Sequence, residues 1–319
     1  MNAESVQKLN EHIRNNIASV IYGKEEKLDF ILCALLCAGH VLLDDIPGTG
    51  KTSLAKALAK SIAGDADDAF RRIQFTPDLL PSDITGIHYY DQKQNEFRFR
   101  PGPLFSHIVI ADEINRTTPR TQSALLECME EGQTTVDGET FILPRPFFVI
   151  ATQNPIESQG TFPLPEAQID RFLIRLSLGY PEPEQEKRIL DRHIVETPVS
   201  SLSAVCTAEE LLAAQRAVRE VHLSDAVKGY IVDISNATRE PDRLRLGVSP
   251  RGSLALAHMA QAYAAIHGRD YVLPDDVKSV AIPVLAHRVV SRSQSAVRLS
   301  QSAENAVEYI LSTVPSPIS

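Results

Sequence analysis

"LLDDIPGTGKTS", residues Leu42–Ser53, is an apolar run that breaks into a glycine-rich loop closing on Lys51 and Thr52. A general phosphate-binding loop places one glycine, four residues, a second glycine, then Lys and Ser/Thr. Here the second glycine is Gly50, but the first position holds Asp45. The stretch is a working nucleotide site, a degenerate one or a chance match, and its surroundings separate these. Upstream, "HVLLDD" is a short apolar run bounded by turn residues, which predicts a buried strand. Downstream, Ser53 to Ile62 has helical periodicity. Strand, glycine-rich loop and helix form the setting in which backbone N–H groups and a helix N-terminus cradle phosphate oxygens. In that setting Gly48, Thr49, Gly50 and Ser53 line the phosphates, Lys51 reaches the β and γ groups, and Thr52 offers its hydroxyl to Mg²⁺.

Outward from the loop, the apolar runs "RRIQF", "HIVIAD", "FFVIAT" and "FLIRLSL" each read as a strand of a mainly parallel sheet. Helical patterns flank them: Val6, Leu9, Ile13, Ile17 and Val20, then Glu25 to Ala38, then "TPRTQSALLECMEEG". The alternation predicts an α/β layered domain over residues 1–181, with a central mainly parallel sheet flanked by helices. "GIHYYDQKQNEFRFRPG" and "GQTTVDGETFILP" read as β-hairpins, near 86–99 and 133–143, because strand-like arms flank QKQN and Asp137-Gly138. After "YPEPEQ" the patterns turn helical with no convincing strand, which predicts a smaller all-helical lid over 182–319. "HIVETPVSSLSAVCT" reads as a surface linker, and no tandem repeat is present.

The 319 residues carry a formal net charge of −9, which argues against general nucleic-acid binding. A hydrophobic fraction of 43% with 6% aromatics and no Trp predicts a core of Leu, Ile, Val and Ala. The run "LDFILCALLCAG" is too short to span a bilayer and contains Asp29, so no transmembrane segment is expected. The N-terminus shows no basic-then-apolar secretion pattern, and the reading predicts a cytoplasmic protein. Cys33, Cys37, Cys128 and Cys206 fit small core residues in a reducing compartment, with no zinc spacing.

Four further motifs bear on the loop. "HIVIADEIN" ends an apolar strand in two carboxylates. Alternation along a strand predicts opposite faces and separate tasks, Asp112 on Mg²⁺ and Glu113 polarising the attacking water. "FFVIATQNP" offers Asn154 to orient that water, although Asn-Pro also suits an ordinary turn. In "LPEAQIDRF", Arg171 could face a γ-phosphate or form a surface pair with Asp170 or Glu166. In "GVSPRGSLALAHM", Ser249 suits an N-cap and Pro250 the first helical turn. Arg251 then sits at a helix start, where a cation calls for an anionic partner, a phosphate or a carboxylate.

Taken in order with "FTPDLLPSDITG", "FRPGPLFSHIVIADEINRTTPRTQSALLECMEE", "ATQNPIESQGTFPLPEAQIDRF" and "GRDYVLPDDV", these motifs resemble the MoxR family of AAA+ ATPases over nearly the whole chain. The resemblance implies a Walker A motif at Gly48 to Thr52, Walker B at Asp112 and Glu113, sensor 1 at Asn154 and sensor 2 at Arg251. It implies an arginine finger at Arg171, with Arg116 a second candidate across a subunit boundary. It also implies adenine-side contacts from "VIYGKEE" around Ile21, Tyr22 and Gly23. On this resemblance the hairpins look like the helix-2 and pre-sensor-1 inserts, which in related machines face the axis of a ring. By the same resemblance the chain is expected to bind ATP and Mg²⁺, form a homo-hexamer and act as a chaperone-like ATPase with a von Willebrand A domain partner. Two other classes compete. A nucleotide-gated scaffold would usually lack Glu113 or Lys51, and both are kept; a motor acting on DNA fits poorly with the acidic charge. Magnesium-chelatase-type metal insertion is a related alternative that shares the hairpins.

Overall fold

The computed structural model describes residues 1–46, 48–63, 69–154, 160–193, 198–240, 244–291 and 296–317. Two helices open the chain, α1 (Ala3–Ala18) and α2 (Glu25–Leu36), followed by β1 (Val41–Asp44) and α3 (Lys51–Ala63). Next come β2 (Phe70–Gln74), the short α4 (Pro81–Thr85), β3 (Gly86–Asp91), β4 (Glu96–Pro101), β5 (Ile108–Asp112) and α5 (Pro119–Glu131). The α/β part ends with β6 (Gln133–Val136), β7 (Glu139–Ile142), β8 (Phe148–Gln153), α6 (Glu166–Ile169) and β9 (Ile174–Leu176).

The central sheet is parallel throughout, in the order β2-β5-β8-β1-β9. Its strands read as continuous apolar runs because both faces are covered. Val41, Leu43, Ile108, Ile110 and Ile150 face one hydrophobic cluster; Leu42, Val109, Ala111, Val149 and Ala151 face the other. That period-two division fixes the register, since a one-residue slip would exchange the two faces of a strand. All five strands point the same way, so the ends of β1, β5 and β8 bring Asp44, Asp112 and Gln153 to one edge, the edge at which such sheets bind ligands.

Both expected hairpins are present, β3–β4 and β6–β7. Asp137 and Gly138 have φ of 52° and 86°, the left-handed pair that a two-residue turn demands. The hairpins pack together: Phe99 stacks on Phe141 at 3.8 Å, and His88 lies against both rings.

Beyond β9 the chain forms α7 (Pro183–His193), α8 (Ala208–Arg219), α9 (Asp225–Ala237), β10 (Leu244–Leu246), α10 (Pro250–Ile266), α11 (Pro274–Leu285), β11 (Val290–Ser291) and α12 (Ala296–Thr313). This part is helical apart from the short antiparallel ribbon β10–β11, which the sequence pattern did not announce. Strands of two and three residues are too short for a period-two signal. Of the linker-like stretch, 194–197 lie outside the described residues, while Leu202 and Cys206 are buried. α1 packs on α3, α8 and α10, and one hydrophobic cluster runs from the sheet through α1 and α2 into the lid helices.

Candidate functional site

A cleft of about 400 Å³ opens at the carboxyl edge of the sheet. Gly48, Gly50, Lys51, Thr52 and Ser53 line it together with Asp112, Glu113 and Asn154. Gly48 and Gly50 hold φ of 88° and 89°, and a Cβ on either would meet nothing within 4 Å, so the loop presents bare backbone to open space. α3 begins at Lys51, so its N-terminus points at the same space. The Lys51 ammonium folds back onto the carbonyls of Asp45 and Ile46, at 2.9 and 3.0 Å. Thr49 turns its hydroxyl onto the Ile46 carbonyl at 3.4 Å and is not part of the wall.

Asp45 is 4% exposed, and its carboxylate is turned away from the phosphate loop. Oδ1 accepts from Ser177 Oγ and Gly179 N at 2.9 and 3.0 Å, and Oδ2 accepts from Leu178 N at 2.7 Å. Hydrogen bonds to a charged group contribute about 1.5–3 kcal/mol each. Three of them account for a buried acid at a position where glycine is usual, and they remove any clash with a polyanion.

Asp112 and Glu113 both line the cleft, which corrects the expectation of opposite faces. β5 ends at Asp112, and Glu113 takes a left-handed conformation, φ 58°, which breaks strand alternation. Their partners differ. Asp112 Oδ1 accepts from Thr152 Oγ1 at 2.7 Å, and Oδ2 takes Arg72 Nε and Nη2 at 3.1 and 2.7 Å. Glu113 Oε2 accepts from Gln74 Nε2 at 2.6 Å and lies 3.2 Å from Arg116 Nε. Asn154, 7% exposed, follows the end of β8 and lines the same cleft; Pro155 lies outside the described residues.

Arg171 and Arg251 do not line this cleft. They meet at Glu130 near the end of α5, Arg171 Nη1 at 3.2 Å from Oε2 and Arg251 bonded to Oε1. The carboxylate beside Arg171 is therefore Glu130, because Asp170 is held by Arg288 and Ser249 while Glu166 takes Arg245. Exposed pairs of this kind contribute about 0–1 kcal/mol, so Glu130 does not lock either arginine in place. The loop carrying Arg171 is fixed from inside. Arg288, 7% exposed, donates to the Asp170 carboxylate and to the carbonyls of Asp170, Phe172, Leu173 and Val284. Removing one partner of such a buried pair costs about 3–5 kcal/mol. Burial lowers the Arg288 pKa to about 10, still leaving the group charged near neutrality. Ser249 caps α10 through the Gly252 amide, as expected, and holds Asp170 at 3.2 Å.

Ile21, Tyr22 and Gly23 also lie outside the cleft wall. Tyr22 carries the Arg188 guanidinium 4.5 Å above its ring, and Gln185 fills the space a Cβ on Gly23 would need. Arg72, Gln74, Thr152 and Glu130 escaped the sequence reading. The two β2 residues had a signal: separated by two positions, they share a strand face, and Gln74 is in register with Asp112.

Comparison with known proteins agrees with this geometry. Residues 40–174 match the family described as "ATPase family associated with various cellular activities (AAA)", and 236–309 match an AAA lid domain. The chain is 51% identical to the uncharacterised protein YeaC of Bacillus subtilis, over 97% of this chain and 93% of that one. It is 40% identical to chaperone MoxR1 of Mycobacterium tuberculosis, over 94% of this chain and 80% of that one. A crystal structure from Cytophaga hutchinsonii, assigned provisionally as an ATPase, superposes with a TM-score of 0.89 at 34% identity, covering 99% of this chain and 97% of that one. The chain belongs to the MoxR family of AAA+ ATPases.

Proposed function

We propose that this protein hydrolyses ATP in a Mg²⁺-dependent reaction and uses it, as a homo-hexameric ring in the cytoplasm, to remodel or activate partner proteins, including one with a von Willebrand A domain. The observation that carries this reading is the convergence of Lys51, Thr52, Asp112, Glu113 and Asn154 on one cleft at the sheet edge. Thr52 and Asp112 supply hard oxygen donors in the same cleft, the donor type Mg²⁺ prefers, and they are the residues that would hold it. Bound there, Mg²⁺ would neutralise charge building up on the phosphate oxygens. For this to happen Arg72 must leave Asp112 Oδ2, and Lys51 must exchange two carbonyls for a phosphate. Glu113 must shed Gln74 or Arg116 before Oε2 can take a proton from water.

Arg171 and Arg251 share one carboxylate away from their own cleft, which supports both acting on the nucleotide of a neighbouring copy. An arginine supplied in this way is worth about 10³–10⁵ in rate in phosphoryl transfer. Among the described residues no helix is long and apolar enough to cross a membrane. The chaperone role rests on the name of the Mycobacterium relative.

Glu113→Gln tests the hydrolytic reading. The variant should bind ATP as the wild type does and release phosphate about 10²–10⁴ times more slowly. Wild-type turnover in the variant would remove Glu113 from its role. A wild type that binds ATP without turning it over would favour the nucleotide-gated scaffold.

A further inference from the structure

The loop that leaves β9 is gripped by two charged side chains, one of which, Asp45, lines the nucleotide cleft. Asp45 takes the hydroxyl of Ser177 and the amides of Leu178 and Gly179. Lys24 takes the carbonyls of Leu178, Gly179 and Tyr180, at 2.6, 3.2 and 2.9 Å. Donors and acceptors of one short backbone segment are thus divided between two side chains from distant parts of the chain. Asp45 is the first residue of the phosphate loop, and its own carbonyl receives Lys51. Lys24 follows Gly23, which sits against Gln185 of α7, while Tyr22 sits under Arg188 of the same helix. The gripped loop runs directly into α7 and from there to the lid. Asp44, next to Asp45, adds a second tie by pairing with Arg175 of β9.

From this arrangement we propose that Asp45 and Lys24 are positioning residues for ATP turnover: together they hold the 177–180 loop so that filling the phosphate loop resets the start of α7. The inference rests on the reading that a nucleotide binds at Gly48–Ser53. When Lys51 leaves the Asp45 carbonyl for a phosphate, residue 45 loses a cation on its backbone while its side chain stays bonded to the loop. Movement at residue 45 therefore passes to 177–179 through three hydrogen bonds. A glycine at this position, as in the general phosphate loop, has no side chain to make that link. Asp45→Asn keeps the shape but sets an amide N–H₂ against N–H donors. Lys24→Gln loosens the opposite side of the grip from a partly exposed position.

Hydrogen–deuterium exchange on the full chain with and without MgADP and MgATP separates the outcomes. In the wild type, nucleotide should protect 48–53 and also alter exchange across 177–186. In Asp45→Asn and Lys24→Gln, protection of 48–53 should persist while the response of 177–186 falls at least about threefold. Steady-state turnover should split in the same way, with kcat down about tenfold and KM within about twofold. Should Asp45→Asn not fold, Lys24→Gln carries the same test. An undiminished 177–186 response in the folded variants, or none in a wild type whose 48–53 segment is protected, overturns the coupling. A wild type with no protection at 48–53 overturns the nucleotide site itself, and the coupling with it.

Discussion

Gln74 donates to Glu113 Oε2 at 2.6 Å, and the same oxygen faces Arg116, so the residue expected to activate water is held by side chains of its own chain. A side-chain hydrogen bond to a carboxylate is worth about 1.5–3 kcal/mol when buried and less when exposed, as Gln74 is. Gln74→Ala should therefore raise ATP turnover without added partner by about two- to tenfold, with nucleotide affinity little changed. Turnover equal to or below wild type would mean that Gln74 does not restrain Glu113. At this scale the two cleft carboxylates were legible because they end an apolar run, and the lysine because the loop pattern fixes its place. Their partners were not. Arg72 and Gln74 lie roughly 40 positions before the acids they hold, and only strand register joins them. The shared orientation of Asp112 and Glu113 was equally hidden, since it depends on one residue adopting positive φ.

Elements meet at His40, the residue before β1. Its Nε2 donates to the Met129 carbonyl of α5 at 2.9 Å, and its Nδ1 accepts from the Val149 amide of β8 at 3.0 Å. Burial lowers its pKa from the ordinary 6.5 to about 4 and keeps it neutral in the folded chain. Below about pH 6.5 the unfolded chain binds a proton on His40 that the folded chain refuses until about pH 4. Stability should therefore fall as pH drops across that window, with a His40 share of about 2–4 kcal/mol, and level off below it. His287, also buried and pushed well down, adds to the slope. Urea unfolding at pH 7 and pH 4.5 checks the share: His40→Gln should be less stable at pH 7 yet lose less on acidification. An equal loss in both proteins would take His40 out of the slope. The five strands, the flanking helices and both hairpins were legible from period and turn residues, whereas ribbon β10–β11 is too short for either to register. His40 gave no sign of its role, because its two partners come from α5 and β8.

For the whole molecule, the separation of the arginines from the cleft is the main consequence of the fold. Arg171 lies on the loop between α6 and β9, which Arg288 ties down, and Arg251 lies in the first turn of a lid helix. Both come together at Glu130, away from the chain's own cleft. The family pattern marked the two arginines, but no spacing could reveal that they share Glu130, since α5, the loop before β9 and the lid meet only after folding. The expected adenine-side residues show the converse: the segment was recognised, yet Tyr22 and Gly23 lie against α7 and Ile21 packs on the core. A site assembled from two copies is the central claim, and mixing two inactive variants tests it most directly. Arg171→Ala keeps an intact phosphate loop, and Lys51→Ala keeps an intact Arg171. Each alone should release phosphate at least about 10³ times more slowly than wild type, and mixed under conditions that permit subunit exchange they should recover turnover well above either parent. No recovery despite demonstrated exchange, or wild-type turnover in Arg171→Ala alone, would contradict it.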